Sequence, residues 1–460
     1  MSKRIAFWLR DMLVRGKRFN ATRLVAGSFA AIILLGALLL TLPVSSNSGQ
    51  ATDFLTCLFT ATSATCVTGL ILVDTAVHWS LFGQVVILVM IQLGGLGFMT
   101  VVTLFSMLLR RRIGLSERLA MASTFNLNDM SGVVRMVRHA LIGTVTMEGV
   151  GAVLLSARFI PDFGVLRGLW MGVFHSVSAF CNAGFDLLGE RYGAFSSVSG
   201  YRDDPVVLLV LAALIIIGGL GFFVWEDIWK NRNWKGLSLY TKMVLLITAG
   251  LLVAGAVFFL VMEYGQADTL GNMPLWQKGL NAFFQSATLR TAGFDALGQG
   301  NLEDVSLSMS ILLMMVGGSS GSTAGGLKTV TVGVLLLALR AGLTGREQVT
   351  FRARSIPFDR VLNAMTLTVV FIFLFLTGVM VISTVEQMEF LSVAFEVTSA
   401  MNTVGLTTGI TPALTPISQG ILILLMYLGR VGVMSFSIAF LTARRRATGV
   451  YYPSFDLMIG

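Results

Sequence analysis

The sequence predicts an all-α polytopic membrane protein. It would contain four parallel repeats, each a span, a half-helix, a filter segment and a second span, with pseudo-fourfold symmetry around a central pore. Of the 460 residues, 55% are hydrophobic and only 12% are charged, whereas soluble domains carry about 25% charged residues. Apolar runs recur that are long enough to cross a bilayer, and one glycine pattern recurs four times. Most of the protein surface is therefore expected to face lipid.

The apolar runs set the number of spans. Eight of them reach the roughly 20 residues that a transmembrane helix needs, and they lie at about 24–44, 81–109, 140–160, 206–229, 243–262, 307–339, 361–384 and 417–441. Four shorter stretches alternate with them, near 53–65, 169–180, 276–288 and 390–401. These are too short to span, so we expect re-entrant half-helices; ordinary loops or weak spans are the alternative.

The basic residues set the orientation. Of the 33 lysines and arginines, 25 lie before the first span, in alternate connections or after the last span, 5 lie on the opposite side, and 3 are embedded in apolar sequence. Because cytoplasmic loops carry the excess of lysine and arginine, both termini are expected to be cytoplasmic. The net charge of +9 is then topological and does not indicate a nucleic-acid partner.

Several chemistries are disfavoured by the sequence. No GxxxxGK[ST] phosphate-binding loop is present, and the longest cytoplasmic connection is short. We therefore expect no nucleotide to bind this chain, so that nucleotide control would need a second, soluble subunit. The three cysteines have no metal-ligand spacing.

Four glycines mark a repeat. They follow the four short stretches at separations of 115, 109 and 112 residues, with a phenylalanine ten residues before each and a serine or alanine six before; they are Gly69, Gly184, Gly293 and Gly405. Each second span carries two glycines three residues apart: Gly94/Gly97, Gly218/Gly221, Gly318/Gly321 and Gly429/Gly432. Each unit has two full spans, so the repeats are parallel, which disfavours transporters built from inverted repeats. Four parallel units around an axis leave a pore.

The repeat gives the expected boundaries. They are an N-terminal cytoplasmic segment (1–23), repeat 1 (24–112), a cytoplasmic connection (113–138), repeat 2 (139–235), repeat 3 (236–342), repeat 4 (343–446) and a cytoplasmic C-terminal tail (447–460).

The residues that end at the repeat glycines share a position but few side-chain types, which is expected where backbone carbonyls coordinate a ligand. Rings of carbonyls can replace the hydration shell of potassium, and glycine permits the required positive φ. Half-helices that enter from outside would also aim their partly negative C-terminal ends at the pore. The predicted filter residues are Cys66, Val67, Thr68, Gly69; Asn182, Ala183, Gly184; Thr291, Ala292, Gly293; and Thr403, Val404, Gly405. Close helix packing by small residues is the alternative for the glycine pairs.

The chain resembles the Trk/Ktr/HKT superfamily of potassium transporters, most closely the membrane subunit of the bacterial Ktr system. The resemblance covers essentially the whole chain and rests on TATSATCVTGL (60–70), IQLGGLGFMT (91–100), SAFCNAGF (178–185), RTAGF (290–294), GGSSGSTAGGLKT (317–329) and YLGRVGVMSF (427–436). It implies that the four repeat glycines belong to a selectivity filter. Some sodium-conducting relatives have serine at the first of them, so Gly69 favours potassium.

The resemblance also implies a setting and partners. We expect a multi-pass protein of the bacterial inner membrane, a homodimer in the lipid bilayer, with a cytosolic ring of nucleotide-sensing RCK subunits bound on its basic face, including 110–139, 340–360 and the tail. Potassium is the expected substrate, and sodium is a candidate coupling or activating ion.

A glycine-rich break interrupts the sixth span. Glycine in a helix costs about 1 kcal/mol relative to alanine, so the break should be a non-helical intramembrane loop, either a mobile gate under the filter, which the resemblance supports, or a flexible packing stretch. The candidate gate residues are Gly317, Gly318, Ser319, Ser320, Gly321, Ser322, Thr323, Ala324, Gly325 and Gly326.

Two cations accompany this loop. A mid-span arginine costs roughly 2.5–3.5 kcal/mol on insertion scales, so Arg430 is expected beside the loop as an electrostatic barrier or latch, or else in a buried ion pair. Lys328 either binds the loop carbonyls or snorkels to the cytoplasmic face. Arg290 is expected to brace the filter from behind.

The sequence leaves two alternative functions. A sodium-coupled secondary carrier with a single midplane site would show saturating, strictly coupled flux. The string Gly318-Ser319-Ser320-Gly321 matches intramembrane serine proteases of the rhomboid type, but such a protease needs a histidine base on a later span, and no histidine follows His175. The chain is therefore expected not to be an enzyme.

Overall fold

The computed structural model describes residues 21–97 and 133–432, and this part of the chain is mostly helical, as predicted. Its longer helices are α1 (Ala21–Thr41), α2 (Phe54–Cys66), α3 (Leu81–Leu96), α4 (Val133–Phe163), α5 (Val165–Phe180), α6 (Pro205–Leu220), α7 (Phe222–Asn231), α8 (Leu239–Met262), α9 (Leu275–Thr288), α10 (Asp304–Met314), α11 (Thr329–Leu343), α12 (Phe358–Glu386), α13 (Phe390–Asn402) and α14 (Pro416–Val431).

Short elements connect these helices. One-turn helices lie at Thr75–His78 and Gly189–Tyr192, and other short helical turns at Pro43–Ser45, Ser199–Tyr201, Trp234–Gly236, Ala267–Gly271, Gln299–Asn301 and Thr411–Ala413. Strands β1 (Thr350–Phe351) and β2 (Arg354–Ser355) pair antiparallel as a small hairpin. Residues 1–20, 98–132 and 433–460 lie outside the described residues. They include most of the predicted N-terminal segment (1–23) and of the 113–138 connection, the ends of the predicted spans 81–109 and 417–441, and the whole C-terminal tail (447–460).

Each predicted span contains at least one described helix, but not every span is continuous. The apolar run at 206–229 is not one straight helix, because α6 and α7 are bent by 92° at Gly221, whose φ of +88° ends the first helix. The predicted break in the sixth span separates α10 from α11. Within residues 21–97 and 133–432, three helices are individually long and apolar enough to cross a membrane: Arg138–Phe163, Leu239–Met262 and Phe358–Glu386. They support membrane insertion.

The four short stretches are helices rather than loops. α2 and α13 have 13 residues each, α9 has 14 and α5 has 16, all fewer than the roughly 20 needed to cross the hydrocarbon core. α2 begins at an N-cap, Asp53, whose carboxylate accepts hydrogen bonds from the backbone of Leu55 (3.0 Å) and Thr56 (3.3 Å). Such a cap satisfies amide groups that a helix start leaves unpaired.

The distribution of buried and exposed side chains fits a protein surrounded by lipid. The half-helices lie inside: every residue from Val393 to the end of α13 is buried, and Phe59, Phe174 and Phe395 are fully enclosed. The outer helices instead expose large apolar side chains, including Val153, Val253 and Phe373. A continuous apolar exterior around a buried set of short helices fits a membrane-embedded protein.

The half-helices are also packed around a closed circuit. α2 packs against α14, α5 against α3, α9 against α6, and α13 against α10. Each half-helix thus contacts the second helix of the repeat that precedes it in sequence, and the first repeat contacts the last. The four predicted units therefore meet in sequence order.

Close packing behind the second half-helix gives a stability test. A methyl group at Gly172 would lie 2.7 Å from the Ser156 amide nitrogen and 2.8 Å from the Ala152 carbonyl oxygen, so Gly172→Ala should lower stability by about 1–3 kcal/mol through overpacking. Gly279→Ala is the control, because nothing lies within 4 Å of the added methyl group. Thermal unfolding in detergent should show a lower midpoint for Gly172→Ala alone; equal midpoints would contradict this packing.

Candidate functional site

The residues after the four half-helices share an unusual backbone. Two residues before each repeat glycine, the chain adopts the left-handed region, with φ of 58° at Val67, 59° at Asn182, 62° at Thr291 and 53° at Thr403. The glycines themselves have φ of 101°, 71°, 83° and 96°. Left-handed residues other than glycine are uncommon, so four at one position of the repeat indicate a shared constraint on these segments.

The repeat glycines meet one another. A methyl group at Gly69 would lie 2.5 Å from the Ala183 carbonyl oxygen, and one at Gly184 would lie 2.7 Å from that of Ala292. A methyl group at Gly293 would lie 2.5 Å from the Val404 carbonyl oxygen, and one at Gly405 would clash with the Thr68 carbonyl oxygen. The contacts run from the first segment to the fourth and back to the first. They form a closed ring of backbone, which we call the glycine ring, and no side chain fits at its four glycines.

Hydroxyl groups of the half-helices hold this ring in place. The Gly69 amide donates to Ser63 Oγ at 3.0 Å, and the Gly405 amide donates to Ser399 Oγ at 3.0 Å. Ser178 Oγ donates to the Phe185 carbonyl at 2.7 Å. The sequence marked these serines as a repeated position without revealing their role. Their spacing six residues before the glycine was the only available signal.

Other polar atoms at the ring have no partner in the described chain. The hydroxyl oxygens of Thr68, Thr291 and Thr403 are buried and make no hydrogen bond to residues 21–97 or 133–432. Buried polar groups are nearly always satisfied by protein or water. These oxygens are therefore available to a cation or to its water.

Segment 317–326 passes between the backbone turns that follow α5 and α13. Thr323 Oγ1 donates to the Phe180 carbonyl (3.1 Å) and lies 3.1 Å from Asn182 Oδ1. A methyl group at Gly325 would lie 3.1 Å from the Asn402 carbonyl oxygen. The two ends of the segment are adjacent, since Val316 and Leu327 form a backbone bridge.

Arg430 binds this segment through carbonyls. Its guanidinium donates to the Thr323 carbonyl and to those of Gly94 and Gly95, so it joins segment 317–326 to the end of α3. Among the described residues, no carboxylate is within ion-pair distance of Arg430. The structure thus places it beside the loop rather than in an ion pair.

Two further cations contact the segment. Lys328 Nζ donates to the Ala324 carbonyl at 2.7 Å. Arg290 Nη2 donates to the Gly317 carbonyl and lies 3.3 Å from both that oxygen and Thr329 Oγ1. The Arg290 side chain thus bonds the start of the segment, and its expected role in bracing the filter stays a prediction.

The paired glycines of the second spans have two structural roles. The second glycine of each pair ends or interrupts helical backbone, with φ of 79° at Gly97, 88° at Gly221, 75° at Gly321 and 88° at Gly432. The first glycine packs on the end of a half-helix in repeats 1, 2 and 4, against the carbonyls of Thr65, Phe180 and Met401. Close packing therefore explains only part of the pattern.

The protease alternative finds no support in the geometry. The serine of a GxSG string is its third residue, here Ser320, whose backbone carbonyl accepts a hydrogen bond from the Tyr240 hydroxyl. The three histidine rings lie elsewhere, with His78 at Thr52, His139 near Glu226, and His175 at the Met171 carbonyl. A serine without a neighbouring base is a weak nucleophile.

Short buried helices that end at a backbone ring, enclosed by lipid-facing helices, are the architecture of a membrane transport protein. The chain belongs to the TrkH family of cation transport proteins, whose family model matches residues 18–446. Members of this family are transporters rather than enzymes.

Individual relatives cover nearly the whole chain. It is 42% identical to the potassium/sodium uptake protein NtpJ of Enterococcus hirae, over 96% of this chain and 98% of that protein. It is 37% identical to the Ktr system potassium uptake protein B of Bacillus subtilis, over 98% and 99%. The crystal structure of the potassium transporter TrkH from Vibrio parahaemolyticus shares the fold, with a TM-score of 0.72 at 16% identity, covering 92% of this chain and 85% of that one.

Two glycines with the same backbone angle test the glycine ring. Gly405 has φ of 96° and Gly409 has φ of 97°, but a methyl group at Gly405 would meet Gly69 Cα at 2.9 Å, whereas Gly409 has nothing within 4 Å. Both alanine variants pay similar backbone strain of about 1–3 kcal/mol. Gly405→Ala should therefore abolish cation uptake into proteoliposomes, and Gly409→Ala should retain it. Loss in both, or in neither, would contradict the ring.

Proposed function

We propose that this chain carries potassium across the bacterial inner membrane through a selectivity filter made by the backbone carbonyls of the predicted filter residues. One observation carries the proposal: four glycine-bearing segments at helix ends form a closed backbone ring. Carbonyl rings replace the hydration shell of potassium. Two relatives named as potassium or potassium/sodium uptake proteins support the choice of ion.

Electrostatics favours a cation at this place. Four half-helices end at the ring, and helix C-termini carry partial negative charge. The unpartnered hydroxyls of Thr68, Thr291 and Thr403 add oxygen ligands. In the proposed arrangement, the four repeats are parallel and related by pseudo-fourfold symmetry about the pore, with the boundaries expected from the sequence and both termini in the cytoplasm.

Segment 317–326 is the proposed gate. It contacts Asn182 of one filter segment and lies against Asn402 of another, so it obstructs the path beneath the ring. Arg430 is the proposed latch, because it holds the Thr323 carbonyl and keeps its positive charge without an acidic partner. Lys328 adds a second charge on the same segment.

Regulation by a cytosolic RCK-type subunit is the proposed source of gate movement, with the chain acting as a homodimer. One relative is named as part of a Ktr system. The bent helix pair gives a route: the Phe222 amide donates to the Gly321 carbonyl at 3.0 Å, and the Tyr240 hydroxyl donates to the Ser320 carbonyl at 3.1 Å. Phe222 is the first residue of α7 and Tyr240 lies in the first turn of α8, so the two donors flank the connection between α6 and α8. Sodium is proposed as a coupling or activating ion, as the name of the Enterococcus relative suggests.

Removing the gate should raise flux. Val316 and Leu327 are already paired by a backbone bridge. After deletion of 317–326, these two residues can therefore be joined with little movement of the flanking helices. We expect several-fold faster rubidium uptake in potassium-uptake-deficient cells, and a smaller increase for Arg430→Gln. Ser322→Ala is the control, because that hydroxyl bonds only within the segment, to the Ser319 carbonyl at 2.7 Å. Unchanged flux with normal expression would count against the gate.

Discrimination between ions tests the filter. Gly69→Ser adds a side chain where a Cβ would lie 2.5 Å from the Ala183 carbonyl oxygen, which must displace that oxygen from its place in the ring. The rubidium-to-sodium uptake ratio in proteoliposomes should fall about tenfold or more. Gly409→Ser, at an open position of similar φ, should keep the original ratio. Unaltered selectivity in Gly69→Ser would refute the filter assignment.

A further inference from the structure

A basic cavity lies at the end of α11, away from the glycine ring. It has a volume of about 180 Å³ and is lined by Leu337, Arg340, Ala341, Arg346, Gln348, Thr350, Arg352 and Ala353. Three arginines thus line one cavity, together with Gln348 and Thr350. None of its lining residues is acidic, so the cavity has the composition of an anion site.

The three arginines are not engaged by protein carboxylates. Across the described ranges, none of Arg340, Arg346 and Arg352 takes part in an ion pair. Arg352 is held from one side by Trp234, whose ring centre lies 5.8 Å from its guanidinium carbon. Guanidinium groups match phosphate oxygens in pairs of parallel hydrogen bonds, and Arg is preferred over Lys for this reason.

The surface next to the cavity is apolar. Leu336, Leu339 and Leu343 of α11 are 56%, 59% and 80% exposed, and Phe358 at the start of α12 is 76% exposed. Residues three and four apart share a helix face, so Leu336, Leu339 and Leu343 form one stripe that reaches the level of Arg340. A charged cavity at the end of an exposed leucine stripe fits a ligand with an anionic head and an apolar tail.

We propose that this cavity binds the phosphodiester headgroup of an anionic phospholipid, whose acyl chains lie along Leu336, Leu339 and Leu343. A soluble acidic partner would satisfy the arginines but would leave the leucines exposed. Basic pockets near the ends of membrane helices bind such headgroups, and each lysine or arginine near the surface adds about 1 kcal/mol.

The test is native mass spectrometry of the full chain in detergent, titrated with phosphatidylglycerol or with zwitterionic phosphatidylcholine. The triple variant Arg340→Gln/Arg346→Gln/Arg352→Gln should bind phosphatidylglycerol at least about tenfold more weakly, with phosphatidylcholine unchanged. The matched control Lys230→Gln/Arg232→Gln/Arg360→Gln removes three exposed charges outside the cavity and should bind as the unmodified chain does. Equal losses of phosphatidylglycerol binding in both triple variants would show that removal of any three positive charges has this effect, and would overturn the site.

Two further arms identify the source of the phosphate. Glycerophosphoglycerol, the headgroup without acyl chains, and inorganic phosphate should each fail to displace the lipid at millimolar concentration; displacement would overturn a lipid site in favour of a soluble anion. Arg346→Lys keeps the charge but loses the paired donors, and it should weaken binding a few-fold. Full retention of lipid by the triple variant would also overturn the proposal and leave the cavity to a protein partner. Lipid counts do not depend on transport, so this result stands apart from the proposed function.

Discussion

The fold depends on how non-helical backbone is kept out of contact with lipid. A bilayer offers no hydrogen-bonding partners, so irregular backbone at membrane depth is tolerated only where protein or a wet cavity surrounds it. Here the four left-handed turns at Val67, Asn182, Thr291 and Thr403 lie wholly inside, and each half-helix packs on the second helix of the preceding repeat. The long outer helices enclose the irregular parts. The half-helices thus place the polar backbone at their C-terminal ends inside the protein, where it is not exposed to lipid.

The same requirement explains how segment 317–326 is held. It is not helical, so its amides and carbonyls need partners, and neighbouring backbone supplies them: the Ser319 amide donates to the Gly219 carbonyl at 3.0 Å, and the Phe222 amide donates to the Gly321 carbonyl at 3.0 Å. Both partners lie beside Gly221, where α6 bends into α7. A single hydrogen bond contributes only about 0.5–1.5 kcal/mol net, so the segment is held by many replaceable contacts, which suits the proposed gate.

Much of the architecture could be predicted from the sequence, because length and glycine position are local signals. The four half-helices were located to within a few residues, and the left-handed turns fall where the repeat glycines indicated. The bend at Gly221 was missed because its apolar run continues through the glycine, and hydropathy does not register backbone angle. The roles of Ser63 and Ser399 were missed for a different reason: their acceptor function depends on a turn that forms only in three dimensions. Two of the three carbonyl partners of Arg430 come from residues more than 300 positions away, Gly94 and Gly95, which no local pattern encodes.

The type of partner determines how much net charge Arg430 presents to its surroundings. An arginine paired with a carboxylate would present little net charge to a passing ion, whereas one bonded only to carbonyls retains its full charge in a low-dielectric surrounding, where charges interact strongly. Its bond to the Thr323 carbonyl means that displacement of segment 317–326 also frees or moves the guanidinium. In the proposed gate, the steric and the electrostatic barrier are therefore parts of one element. Under that proposal, we expect displacement of segment 317–326 to release the loop and the guanidinium together.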